Sequence, residues 1–145
     1  MAAPTRWCLA AAVVVLASCS SREPRQNVVP VKGKVIFQGK PLANAQVYLS
    51  KLSESAAPLS EADRKLRPQG ITGPDGTFQL TTYDPNDGAP PGKYLVGVVA
   101  QKEAKFADDT ESIIPGRYAN PKISGVMVTV KAPTTELPPI EIADR

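Results

Sequence analysis

The chain has 145 residues, with 17 Lys and Arg against 14 Asp and Glu and no histidine. A formal charge of +3 without any cluster of Lys and Arg excludes the basic face that nucleic-acid binding needs. The missing histidine removes Ser-His-Asp and Cys-His nucleophilic systems and the usual zinc sites, so no catalytic residue and no cofactor is expected.

In chain order, Arg6 and the chain amine form a basic start, followed by the apolar run at residues 7–17, WCLAAAVVVLA. Such a run rises only about 16 Å as a helix, short of the ~20 residues that cross a bilayer. A cleaved secretory leader over residues 1–18 is therefore expected, not a retained span. Leu16, Ala17, Ser18 and Cys19 close the run, and this tetrapeptide resembles the signal of bacterial lipoproteins. The resemblance implies cleavage before Cys19 and acylation of its thiol; an ordinary secreted protein is the alternative. Each buried CH₂ contributes ~0.8 kcal/mol, so two or more chains make a stable anchor where one does not. Ser20 stands where an Asp would signal retention, which by the same resemblance favours the periplasmic side of the outer membrane over the inner membrane. Cys8 leaves with the leader and Cys19 carries lipid, so no disulfide is available and the fold must stand on its core.

Residues 19–27, CSSREPRQN, are polar and aperiodic and read as a flexible tether. A single domain is expected over residues 28–145. Val31, Gly33, Val35 and Phe37 alternate with Lys32, Lys34 and Ile36 as a first strand, with a turn at Gly39, Lys40 and Pro41. Ala45, Val47 and Leu49 mark a second strand, paired with or adjacent to the first. Ser60 followed by Asp63 resembles a helix N-cap, predicting a short surface helix before Pro68. Gly73, Pro74, Asp75 and Gly76 form a turn leading into Phe78 and Leu80, read as a hairpin. The apolar run from Lys93 to Ala100 predicts a central strand covered on both faces. Val126, Val128 and Val130, then Ile140 and Ile142, complete about seven short strands. Fifteen prolines, ten glycines and these connection lengths predict an all-β, mostly antiparallel β-sandwich, prealbumin-like or Ig-like.

Gly33-Lys34-Val35, Gly39-Lys40-Pro41, Ala45-Gln46-Val47, Thr72 to Phe78 and Pro90 to Tyr94 follow one another in the order typical of the carboxypeptidase regulatory-like domain. The chain resembles that transthyretin-like family over roughly residues 28–100. Together with the lipoprotein signal, DGAPPGKY and the IPGRYANPKISGVMVTV tail, it resembles small bacterial lipoproteins carrying this domain. The resemblance implies a sandwich scaffold that hosts adhesion, carrier, folding-support and a few enzymatic roles. It also sets the chain apart from the related hydroxyisourate hydrolases, which depend on histidines.

Asp84, Asn86 and Asp87 in DPNDG are candidate calcium ligands, although the spacing departs from an EF-hand loop and turn capping explains the same residues. Asp108, Asp109 and Glu111 are a second acidic cluster that reads as a solvated loop. Tyr83, Tyr94 and Tyr118 are candidates for a sugar-binding face, against a core role for Tyr94 and a turn role for Tyr118. Arg117 and Tyr118 are candidates for a partner contact, because both residue types are enriched where partners bind. The expected role is a non-enzymatic, lipid-anchored envelope module that binds a protein partner or scaffolds. Carbohydrate binding is the alternative, and a calcium-dependent or catalytic protein comes last.

Overall fold

A computed structural model describes residues 25–54, 56–102 and 111–144. Cys19, the leader, and Asp108 and Asp109 lie outside the described residues. Among the described residues no helix is long and apolar enough to cross a membrane.

The body is a two-sheet sandwich, nearly all β, as the alternation implies. Its strands are β1 (Val31–Phe37), β2 (Lys40–Pro41), β3 (Gln46–Lys51), β4 (Gln69–Ile71), β5 (Thr77–Gln79), β6 (Gly92–Val99), β7 (Met127–Val130), β8 (Thr135–Glu136) and β9 (Ile140–Ile142). One helix, α1 (Glu61–Lys65), and one 3₁₀ turn at Gly116–Ala119 accompany them. In the first sheet β1 is the spine, antiparallel to β2 and β5 and parallel to β8 and β9. The second sheet runs β4-β3-β6-β7, antiparallel throughout.

Period-two burial builds the core between them: Val31 and Val35 from β1, Val47 and Leu49 from β3, Phe78 from β5, and Tyr94, Val96 and Val98 from β6 all point inward. Tyr94 is fully buried, and its hydroxyl donates to the Pro90 carbonyl at 2.7 Å. Burial pushes its phenol well above the ordinary range, so it stays a neutral donor.

Four expectations change in detail. The first turn sits one residue earlier, at Gln38 and Gly39, both with positive φ, and Lys40 and Pro41 already pair with Phe37 and Ile36. Two positive-φ residues give the twist that a two-residue hairpin needs. The second strand, β3, lies in the opposite sheet from β1, because the chain crosses over at Asn44 (φ 55°) before the Ala45 amide bonds the Thr72 hydroxyl at 2.8 Å. The legs read as one hairpin divide between the sheets: β4 pairs with β3, and β5 with β1. They meet again at the Gln69 and Thr81 bridge. Finally, β6 is central but its outer face is not fully covered, since Leu95 and Val99 stay half-buried.

Candidate functional site

The outer face of the second sheet is not flat. Register sets Tyr48 opposite Gly97 and Ser50 opposite Leu95, and Leu95 opposite Met127. A Cβ on Gly97 would lie 2.4 Å from Tyr48 Cζ and 2.8 Å from both Cε atoms, so the phenol ring lies across the bare glycine backbone. Only a residue without a side chain leaves room for that ring. The Tyr48 hydroxyl donates to the Ala119 carbonyl of the 3₁₀ turn, which fixes the ring from its far end.

Two walls rise beside this floor. One is α1 and the residues on either side of it, with Leu59, Arg64 and Arg67; the other is Ala119, Asn120, Pro121 and Lys122. Together they enclose an open groove of about 750 Å³, within the range of about 300–1,000 Å³ that small-molecule sites occupy. Beyond Tyr48, the side chains of Gln46 and Gln69 bond each other at 3.2 Å and lead into a second cleft of about 550 Å³ lined by Ile71, Gln79 and Asn86. Ile71 is 69% exposed and Met127 59%, both on this outer face.

The charge in the groove is uneven. Asp63 is bound on all sides: Gln26 Nε2 donates to it at 2.8 Å, Lys51 Nζ at 2.7 Å and Ser60 Oγ at 2.8 Å. Ser60 in turn caps α1 by accepting from the Asp63 amide at 3.1 Å, as the sequence implies. Arg64, Arg67 and Lys122, in contrast, are exposed and form no ion pair among the described residues.

The Gln26 bond, then those of Lys51 and Ser60, hold the Asp63 carboxyl at about 2, below its ordinary 3.8. In the unfolded chain the group titrates near its ordinary value. The ionised junction thus favours the fold above about pH 4, and that advantage is lost as pH falls toward about 2. Asp63→Asn is expected to melt lower at pH 6, by about 1–2 kcal/mol, and to lose less stability than the wild type between pH 5 and 2. Thermal melts across that range check it; parallel curves for the two chains would contradict the junction.

The junction also catches the end of the segment read as tether. Besides the Gln26 contact, its amide donates to the Tyr83 hydroxyl at 3.0 Å. Arg25 pairs with Asp84 at 2.9 Å and lies 5.3 Å over the Tyr83 ring.

The other sequence candidates have separate fates. Asp87 accepts the amides of Thr82, Tyr83 and Asp84 at 2.7, 3.0 and 3.0 Å, closing its own loop. Burial raises its carboxyl, but these bonds together outweigh it and the net shift is downward. With Asp84 on Arg25 and the Asn86 amide donating to Thr81 Oγ1, the calcium candidates serve the turn and the segment that precedes β1. Among the described residues no group of three acidic, Cys or His side chains is placed to hold a metal ion. Tyr118 is 5% exposed, and its hydroxyl accepts from Arg117 Nη2 and the Ala143 amide, both at 3.0 Å. Burial raises the phenol, but the Arg117 and Ala143 contacts together outweigh it and the net shift is downward. Arg117 also donates to the Ala143 carbonyl at 3.3 Å, so this pair latches the chain after β9 instead of facing outward together.

Tyr48, Arg64, Arg67 and Lys122 escaped the sequence reading. Their only signal was indirect: a tyrosine on the polar side of a strand and a glycine within an otherwise apolar one, which identify each other only once the register is known.

No family model and no curated protein matches the chain. Among solved structures it is similar to a DUF3823 family protein from Parabacteroides merdae (15% identity, TM-score 0.40), covering 82% of this chain and 46% of that one. It is also similar to a proposed carbohydrate-binding protein from Pseudomonas aeruginosa (13% identity, TM-score 0.42), covering 81% of this chain and 90% of that one. A third is a 9R-lipoxygenase from Cyanothece (14% identity, TM-score 0.40), covering 83% of this chain and 17% of that one. This chain thus spans less than half of the first and under a fifth of the third.

Proposed function

We propose that this protein is a non-enzymatic binding module, tethered to the cell envelope by lipid on Cys19, that holds an envelope protein or glycan in the groove over Tyr48. One observation carries the reading: an aromatic floor and unpaired cations converge on an outer sheet face, where the fold itself needs neither. The core is complete without Tyr48, whose ring lies outside the sandwich. A groove with mixed polar and apolar walls holds and orients a ligand; the described residues lining it include no histidine or cysteine.

The lipoprotein signal and the likeness to carboxypeptidase regulatory-like domains support placing such a scaffold outside the cytoplasm. A single fractionation experiment tests both parts. Cys19→Ser is expected to move the protein from the membrane to the soluble fraction, with the wild type carrying the mass of the acyl chains. Ser50→Trp, which fills the groove from a half-buried outer position, is expected to stay in the membrane yet lose co-sedimentation with delipidated envelope material. An unmodified wild-type cysteine would remove the anchor, and undiminished co-sedimentation of Ser50→Trp would remove the groove.

A further inference from the structure

The groove reading above leaves its occupant open between protein and glycan, and the geometry narrows it. An extended peptide commonly gains affinity by adding a strand to a free sheet edge. The groove offers none, because its floor is β3 and β6, and each is paired on both sides, β3 by β4 and β6, β6 by β3 and β7. What the floor offers instead is a ring laid on Gly97, one face against the backbone and the other toward the groove. An aromatic face of that kind matches the apolar face of a sugar ring while the polar tip is already bound to Ala119.

Arg64, Arg67 and Lys122 line the same groove as the ring, while the one carboxylate among the described lining residues, Asp63, is neutralised by Lys51 and held by Gln26 and Ser60. Guanidinium groups bind carboxylates through paired, charge-assisted hydrogen bonds. The track continues past Tyr48 to the amides of Gln46 and Gln69, which suit hydroxyl partners of further sugar units.

Resting on the binding reading, we propose that the occupant is an acidic glycan, a chain of sugars bearing carboxylates, stacked on Tyr48 and paired with Arg64, Arg67 and Lys122. The test is titration calorimetry of the full acylated protein in uncharged detergent with three probes: a galacturonic acid hexamer, its methyl ester, and a glutamate hexapeptide. The acid hexamer is expected to bind best and to weaken as salt is raised. Each lost charged hydrogen bond corresponds to about tenfold in Kd, so the ester and the Arg64→Gln, Arg67→Gln double variant are expected to bind at least that much more weakly. Lys131→Gln, an exposed residue outside the lining of both clefts, serves as the control and is expected to match the wild type.

Equal affinity for acid and ester, with both lost in Tyr48→Ala, would overturn the acidic assignment and leave the groove reading standing. A peptide that binds as tightly as the sugar would overturn the glycan class. If no probe binds, the proposal fails; if Ser50→Trp also keeps its co-sedimentation with envelope material, the groove reading fails with it.

Discussion

Gly88→Ala is expected to lower stability by about 3 kcal/mol, which for a body of this size is a fall in Tm of roughly 10 °C. The reason is backbone against backbone. A Cβ at Gly88 would lie 1.8 Å from the Val29 carbonyl oxygen and 2.8 Å from Pro30 Cα, and the residue sits at φ +100°. Nothing there can move cheaply, because Val29 and Ala89 exchange amide bonds at 3.0 Å in both directions and the Gly88 amide donates to Leu80 at 2.9 Å. The Thr82 hydroxyl closes the same loop on the Gly88 carbonyl at 2.6 Å. Relief would break the bridge through which the chain enters the first sheet and lift the Asp87 loop. Gly116→Ala is the control, since a Cβ there meets nothing within 4 Å. Circular-dichroism melts check the pair; a Gly88→Ala midpoint within a couple of degrees of the control would contradict this packing.

Gly97→Ala is expected to do the opposite, leaving the fold nearly intact while reducing ligand binding by at least about tenfold. The atoms nearest its Cβ would be the far end of Tyr48, at 2.4 to 2.8 Å, and a side chain can swing where a backbone cannot. The glycine has no positive φ that would penalise alanine. Swinging the ring out breaks its bond to Ala119 and removes the floor of the groove. Stability is expected to change by about 1 kcal/mol, the scale of one exposed cross-strand pair and one hydrogen bond. Melts and co-sedimentation with envelope material, measured side by side, separate the two effects. Binding that survives in a folded Gly97→Ala chain would mean the ring is only a cover for the glycine.

These two glycines also mark what the sequence could and could not convey. Alternation alone located Val31 to Phe37, Val47 and Leu49, and Val128 and Val130, because burial on one face repeats every second residue. The Ser60 cap and the Gly73 to Gly76 turn were legible for the same reason: their bonds, Asp63 amide to Ser60 and Gly76 amide to Gly73, close within a few residues. The parallel pairing of β8 and β9 with β1 joins Val31 to Thr135 and Val35 to Ile140, across about a hundred residues. No local pattern encodes such a pairing. The division of the Gln69 to Gln79 segment between two sheets is hidden likewise, since each leg alternates correctly whichever sheet it joins.

The site was hidden more deeply. Tyr83, Tyr94 and Tyr118 drew attention as aromatics, yet Tyr94 and Tyr118 are held inside by Pro90 and by Arg117 with Ala143. Tyr83 receives the segment before β1 through Gln26 and Arg25. Tyr48 looked like an ordinary outward residue because its partner, Gly97, lies on a strand far along the chain. The same holds for Asp63, whose carboxyl joins Gln26, Lys51 and Ser60 from three separate segments.

The central claim is that the face over Tyr48 meets an envelope component in the living cell. A photo-crosslinking residue placed at Met127, exposed on the same outer face beside Leu95 but outside the groove lining, tests it most directly, with Lys40 on the opposite sheet as the reference position. The expected result is one dominant adduct from position 127, absent from position 40 and abolished when Gly97→Ala is added. Equal adducts from the two positions, or an adduct from position 127 that persists in the Gly97→Ala background, would contradict it.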